Sequence, residues 1–364
     1  MIKINQNKFS NIVLIVVGAR PHFIKASPLI RAMEGLKTKF KILHTGQHYD
    51  KNMSSLFFEE LEIPIPDYNL NVGSGTHAEM TGKIMVGVEK VLFDIMPKAV
   101  VVFGDTNSTL AATIASAKYY FPVIHIEAGV RSGNKRMPEE INRKIIDHTS
   151  DFLVTPSDLA VENLMSEGIT SGVINAGDFM YDSFLFAKSL VLSRPSSISK
   201  YSLQKKKYIL STIHREKSTM SMGLLINILD GLGSLGEPVI LPMHPRTRNL
   251  IDASDYSPKS DSQLTIIEPL GYLEMLDLLL HARYVVTDSG GLQKEAYWAS
   301  VPCVTCMDET TWTETIDAGW NKIAGMNIEK IQLALKAPTP HGPRPEVYGA
   351  PGSAQRLVKS MEWI

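Results

Sequence analysis

Three acidic side chains in the first half of the chain stand where chemistry is commonly done. Asp105 follows the apolar run Ala99–Phe103, Glu127 follows Val123–Ile126, and Glu139 stands behind Pro138 at the head of a helix-like segment. A carboxylate directly after a buried strand is costly unless it is paired or used, so Glu127 points to function. Asp105 is either an acid at a strand tip or an N-cap for the next helix, a common use of Asp; Thr106 to Ser108 could cap that helix as well. Pro138 followed by two acids is also ordinary helix-start chemistry, and Glu139 lies four residues before Arg143, as an i,i+4 ion pair does. In the second half His214 and His244 each follow an apolar run and lie near an arginine, Arg215 and Arg246. Histidine changes protonation near neutral pH, as a proton-transfer group must, and two placed alike suggest a shared cleft.

Two turns read as anion sites. Gly18-Ala19-Arg20-Pro21 ends the first apolar run and opens a helix at or just after Pro21. The helix start with Arg20 and Lys25 would hold an anion; the plain alternative is a glycine turn with two surface cations. The turn is not GxGxxG, so dinucleotide binding has poor support. The stronger signal is Thr287-Asp288-Ser289-Gly290-Gly291, where a strand ends in a glycine pair that opens a helix. Bare backbone N–H groups and the Ser289 hydroxyl there suit phosphate oxygens. Glu295, about one turn further on, suits ribose hydroxyls.

The elements that must position these residues are legible as alternation. Strand-like runs at 11–17, 40–43, Ala99–Phe103, Val123–Ile126, Phe152–Thr155 and Val173–Asn175 form one set. Runs at 208–212, 238–242, Leu264–Ile267, Tyr284–Thr287 and Cys303–Thr305 form another. They are continuously apolar, as parallel strands covered on both faces are. Helix-like segments at 23–35, 108–120, 138–148, 224–232 and 273–281 lie between them. This pattern predicts βαβ units and doubly wound parallel sheets, an α/β class in two Rossmann-like halves. Ligands of such sheets sit beyond the carboxyl ends of the strands, where the residues above lie. The Ser- and Lys-rich residues 193–207 put the boundary there or slightly before, at 185/186. Residues 337–353, crowded with Pro and Gly, make a second break, and 354–364 read as a final helix.

Composition narrows the class. The 364 residues carry 37 Lys+Arg against 38 Asp+Glu, a net charge of -1, with 44% hydrophobic residues. That excludes a disordered chain and leaves room for two cored domains. Near-zero charge argues against a nucleic-acid partner or an anionic membrane surface. No segment approaches the roughly 20 apolar residues of a membrane span, and the first apolar run lacks a leader's cleavage signature, so the expected location is the cytoplasm. Cys303 and Cys306 have CxxC spacing, but their surroundings read as strand rather than helix start, which makes them small core residues rather than a redox pair. No zinc spacing occurs.

Taken together, these residues resemble the non-hydrolysing bacterial UDP-N-acetylglucosamine 2-epimerase family. The matching segments are GARPHFIKASPL, HTGQHYD, GDTNSTLAA, HIEAGVRS, RMPEEINRKIIDH, HRE, MHPRT, DSGGLQKEA and ETIDAGWN, in order from residue 18 to residue 321. The resemblance implies a GT-B-like fold with the nucleotide sugar in a central cleft. It implies an N-terminal domain of residues 1–185 with 354–364 packing back on it, and a UDP-binding domain of 186–353. It further implies an isomerase that inverts C2 of a UDP-2-acetamido sugar, UDP-GlcNAc to UDP-ManNAc in type, by elimination of UDP to a 2-acetamidoglucal and re-addition. No cofactor and no metal are needed, and a homodimer serving surface polysaccharide synthesis is implied. Catalytic roles carry over onto Lys25, Asp105, Glu127, Glu139 and His214. Arg20, Arg215, His244, Tyr272, Ser289, Gly290, Gly291 and Glu295 carry over as substrate ligands, with residues 269–272 toward the uracil end. Which of the three acids moves the C2 proton first stays open.

Departures from the family pattern direct attention to the sugar. The first loop reads GARPHFIKA rather than GTRPEAIKMAP. RMPEEINR and ETIDAGWN look like a subgroup acting on UDP-2,3-diacetamido-2,3-dideoxyglucuronate, while TTWTE replaces that subgroup's ETEWVE-like stretch. Asp50 in Gln47-His48-Tyr49-Asp50 puts an acid where an allosteric branch would bind a second UDP-sugar, so activation by substrate is not expected. Domain closure over the cleft is expected, since it keeps water from a glycal. Rival readings are a hydrolysing 2-epimerase, a GT-B glycosyltransferase, which would not need three acids in its first domain, and an inactive UDP-sugar sensor.

Overall fold

The structure is a computed structural model that describes residues 9–47, 58–254, 256–340 and 342–361. The chain forms two compact units, residues 1–183 with 346–364 and residues 184–345. The divisions fall at 183/184 and 345/346, against 185/186 and 353/354 expected from composition. His48, Tyr49 and Asp50, on which the expectation about a second UDP-sugar rests, lie outside the described residues.

The first unit is built on a parallel seven-stranded sheet, in the order β3-β2-β1-β4-β5-β6-β7. Its strands are β1 (Val13–Val17), β2 (Phe40–His44), β3 (Tyr68–Asn69), β4 (Ala99–Phe103), β5 (Val123–Ile126), β6 (Phe152–Thr155) and β7 (Val173–Asn175). Every residue of β1, β4 and β5 is buried, which is why these runs carry no polar alternation. β1 pairs with β2 on one side and β4 on the other, so strand order reverses between β1 and β4. Helices His77–Ile95 and Asn107–Ala117 cover one face through Leu14, Val16, Val88, Leu92, Val100 and Ala112. The first of these helices starts at a reciprocal capping box, Thr76 with Glu79.

The helix Arg20–Gly35 carries Pro28 in its interior. Proline has no N–H for the carbonyl four residues back, and that carbonyl, on Ile24, accepts from the Ser183 hydroxyl instead. The C-terminal return is fastened by Asp182, which accepts from the N–H groups of Gly352 and Ala354 at 2.7 and 3.0 Å, and by Arg356, which donates to the Ala176 carbonyl at 2.6 Å. The final helix runs Ser353–Ser360.

The second unit repeats the plan with six parallel strands in the order β10-β9-β8-β11-β12-β13. These are β8 (Ile209–Thr212), β9 (Val239–Pro242), β10 (Leu264–Ile267), β11 (Tyr284–Thr287), β12 (Cys303–Thr305) and β13 (Asn321–Ile323). Here the order reverses between β8 and β11, whose register pairs Thr212 with Thr287. The core gathers Ile209, Leu229, Leu241, Val286 and Val304. Cys303 and Cys306 are buried free thiols, and burial pushes Cys303 up to about 12, so neither is a ready thiolate. Among the described residues no helix is long and apolar enough to cross a membrane.

Candidate active site

In the first unit the functional side chains meet where β1, β4 and β5 end, beside the reversal of strand order that favours ligand binding. Gly18 leaves β1 in close quarters: a Cβ there would lie 2.3 Å from both Ser108 Oγ and Thr45 Oγ1. Lys25, in the second turn of the helix that follows, is 5% exposed, and its Nζ donates to Glu127 Oε1 at 2.6 Å. A buried ammonium needs a nearby carboxylate, so the cation read in the sequence as an anion holder is already matched to an acid. Glu127 adopts φ 77°, a left-handed conformation costing a non-glycine residue about 1–3 kcal/mol. Its N–H is tied to the Val154 carbonyl at 3.0 Å. Gly104 has φ 60°, and a Cβ there would lie 3.2 Å from Lys25 Nζ and 3.4 Å from Glu127 Oε1.

Asp105 does not cap the helix behind it. Thr106 does, accepting from the Thr109 N–H, while buried Gln47 accepts from the Ser108 N–H at 3.0 Å and the Ser108 hydroxyl at 2.6 Å. The Asp105 carboxylate instead pairs with Arg143 Nη2, and its carbonyl accepts from Asn142 Nδ2 at 2.8 Å. The i,i+4 pair expected between Glu139 and Arg143 is not made. Arg143 turns to Glu140 at 2.9 Å and to Asp105, because Glu140 is the buried acid of the two and accepts from the Ser132 N–H at 2.9 Å. Glu139 is exposed at the head of the same helix, Pro138–Thr149, whose next residues hold Asp105. Arg20 begins the first helix, half-buried.

A second tier of charge lies behind β5. Arg131 grips Glu167 with two hydrogen bonds of 2.9 and 2.7 Å and donates to Asp147 Oδ2 at 2.7 Å. Burial alone would raise the Asp147 carboxyl, but His125 and then Arg131 outweigh it and hold it below the usual range. Arg131 does the same for Glu167, while for Glu140 the Ser132 N–H and Arg143 overcome burial. Lowered folded values stabilise the fold above the unfolded carboxylate pKa, about 4, and that stability is lost as pH falls through the folded values. Thermal unfolding should therefore hold steady from about pH 6 to 5 and drop steeply below about pH 4. A midpoint flat down to about pH 3 would contradict these pairings.

In the second unit the convergence is at β8 and β11. Asp288, fully buried behind β11, accepts at Oδ2 from the N–H groups of His214 and Arg215 at 2.9 and 2.8 Å and from the Ser218 hydroxyl at 2.7 Å. His214 Nδ1 lies 3.3 Å from Asp288 Oδ1, in ion-pair reach but off the hydrogen-bond direction. Its ring stacks on His244, centroids 5.6 Å apart at 21°. Ser289 caps the helix Gly290–Trp298, accepting from the Leu292 N–H. A Cβ at Gly290 would lie 3.2 Å from Trp312 Nε1 and 3.6 Å from Arg215 Nη2, so two side-chain donors approach this helix start. Gly291 completes its first turn, and Glu295 is buried one turn on. Tyr272, also buried, begins the helix Tyr272–His281.

Within their own units, then, Lys25, Glu127 and Asp105 gather in the first, and His214, Arg215, His244, Ser289 and Gly290 in the second. Sequence reasoning missed Arg143, Asn142, His125, Asp147, Asp288, Lys294 and Trp312 as site builders. Asp288 carried the same signal as Glu127, an acid directly behind a buried strand. Lys294, wholly buried with Nζ 3.7 Å from the Trp312 ring centroid, carried none. Among the described residues no three His, Cys, Asp or Glu side chains gather as metal ligands do.

The chain is similar to one family of known proteins in sequence and in fold. The model of a family described as UDP-N-acetylglucosamine 2-epimerase matches residues 31–362. A "UDP-N-acetylglucosamine 2-epimerase homolog" of Methanococcus maripaludis is 45% identical over 96% of this chain and 98% of its own length. A "UDP-2,3-diacetamido-2,3-dideoxy-D-glucuronate 2-epimerase" of Pseudomonas aeruginosa is 43% identical over 95% and 98%. Among solved structures, the Methanocaldococcus jannaschii UDP-GlcNAc 2-epimerase in complex with UDP-GlcNAc and UDP superposes with a TM-score of 0.87 at 38% identity, covering 97% of this chain and 100% of that one.

Proposed function

Because the chain belongs to the UDP-N-acetylglucosamine 2-epimerase family, we propose that it inverts C2 of a UDP-2-acetamido sugar reversibly, by loss and return of UDP. The observation that carries this reading is the pairing of two carboxylates at neighbouring strand tips: Glu127 on Lys25 and Asp105 on Arg143. Inversion at C2 needs one group to take a proton and another to return one on the opposite face. The C2 hydrogen is not acidic, so its removal must be coupled to a good departure at C1. The C–H electrons become the C1=C2 bond of a glycal, and the C1–O electrons leave with the UDP oxygen. In the reverse step C2 is protonated on the other face and the UDP oxygen returns to C1.

The second unit supplies what the departing diphosphate needs. The helix start at Gly290 offers backbone N–H groups, and Arg215, Trp312 and the Ser289 hydroxyl are donors near it. His214 stabilises the charge that develops on UDP, a role usually worth about 3–4 kcal/mol when its donor is removed. In the first unit Lys25 keeps Glu127 in place, and Arg20 adds a cation at the first helix start. Asp105, Glu127 and Glu139 are the candidates for proton transfer. The reaction belongs in the cytoplasm, in a homodimer, as a step toward surface polysaccharide.

Incubation with UDP-GlcNAc, and separately with its 2,3-diacetamido uronate analogue, in D₂O tests the reading. The expected result is deuterium at C2 and UDP still attached at equilibrium, with the faster of the two sugars naming the substrate. The second sugar is a live alternative because the Pseudomonas aeruginosa relative is as similar as the UDP-GlcNAc enzymes are. Release of free ManNAc would indicate a hydrolase instead. Absence of C2 exchange with both sugars would defeat the proposal.

A further inference from the structure

His125 stands in the middle of β5, wholly buried, its register partners Val102 on β4 and Leu153 on β6. Its Nε2 lies 2.8 Å from the Gly104 carbonyl oxygen and its Nδ1 2.7 Å from Asp147 Oδ1. A carbonyl oxygen has no hydrogen to give. Neither has the Asp147 carboxylate, which takes two more hydrogen bonds at Oδ2, from the Gly129 N–H at 3.0 Å and from the Arg131 guanidinium at 2.7 Å. A neutral imidazole owns one N–H and could serve only one of these acceptors, stranding the other at a cost of about 1–3 kcal/mol. Both are served when both ring nitrogens bear hydrogen.

We propose that His125 carries a hydrogen on each ring nitrogen and acts as the positioning residue of the turn that presents Asp105. One donor pins the Gly104 carbonyl from below, and the other is anchored to Asp147, itself fixed to the helix that supplies Asn142 and Arg143. Gly104 is the hinge of the arrangement. Its N–H is tied to the Ile126 carbonyl at 2.9 Å, its left-handed φ directs the chain to Asp105, and a Cβ there would abut Lys25 Nζ and Glu127 Oε1. One buried ring thus links the helix that grips Asp105 to the peptide that delivers it. His125 does not touch the reacting atoms in this scheme, and its link to turnover rests on the epimerase reading above.

Two measurements test it. Neutron diffraction from wild-type crystals grown in D₂O at neutral pH should show deuterium on both Nδ1 and Nε2; a single deuteron overturns the proposal whatever the enzyme's substrate. For positioning, the readout is C2 exchange with the better UDP-sugar. His125→Gln leaves a donor for Gly104 but sets its oxygen against the Asp147 carboxylate. It should lower kcat about 10- to 100-fold with KM within about threefold. The double variant His125→Gln/Asp147→Asn restores an unbroken donor chain, since the Asn amide N–H₂ can donate to the Gln oxygen while its own oxygen keeps Gly129 and Arg131. It should recover most of the lost kcat. A single variant with near wild-type kcat, or a double variant no better than the single, counts against positioning. Wild-type protein inert toward both sugars would sink the epimerase reading alone, with the neutron map still deciding the ring hydrogens.

Discussion

Asp105→Asn is expected to keep the fold and lose more than about a hundredfold in the rate of C2 exchange. The substitution preserves shape and removes the carboxylate's charge with its capacity to take and give a proton, which a positioned group usually supplies at 10²–10⁴-fold. The surroundings tolerate it for identifiable reasons. Arg143 loses one carboxylate but keeps Glu140, and Glu140 is independently anchored by Ser132. The Asn oxygen can still accept from Arg143, and the hydrogen bond from Asn142 Nδ2 to the residue 105 carbonyl does not involve the side chain of residue 105. The helix behind is capped by Thr106 and Gln47, so it loses nothing. The thermal midpoint should move by only a few degrees. Near wild-type exchange in this variant would remove Asp105 from the proton-transfer step and leave Glu127 and Glu139 to account for both faces.

Much of this architecture could be read from the chain, and the parts that could not share a cause. Eleven strands were legible as short apolar runs, most of them buried. β3 and β13 were not: β3 is only Tyr-Asn, and β13, Asn-Lys-Ile, holds a single apolar residue. The acids behind β4 and β5 were visible as residue types out of place. The partners of Asp105 were not, because Arg143 and Asn142 sit on an amphipathic helix where any polar residue reads as solvated face. The same blindness produced the Glu139–Arg143 pair. Spacing along a helix says which residues could meet, but burial decides, and Glu140 rather than Glu139 faces the interior. His125 was hidden differently: inside a buried strand, within Val-Ile-His-Ile, one polar residue looks like a tolerated exception. Its meaning lies in what faces it from the turn after β4 and from the helix Pro138–Thr149.

In the second unit, His214→Ala should cost more than about a hundredfold in turnover while changing UDP affinity far less. The loop survives the truncation because Asp288 holds it by the backbone N–H groups of residues 214 and 215 and by Ser218, none of which needs the imidazole. What goes is a ring whose Nδ1 faces Asp288 and whose stacking on His244 fixes its plane. In the proposed reaction this imidazole meets the charge that develops on the leaving oxygen. Such a contact strengthens as the C1–O bond breaks, so its loss falls on kcat rather than on ground-state binding. Asp288→Ala is not an equivalent experiment, since it would strand two backbone donors and a hydroxyl in a buried site, at about 1–3 kcal/mol each. Calorimetric titration with UDP beside C2 exchange separates the cases. Equal losses in affinity and turnover would reassign His214 to simple nucleotide binding, and turnover near wild type would take it out of the chemistry.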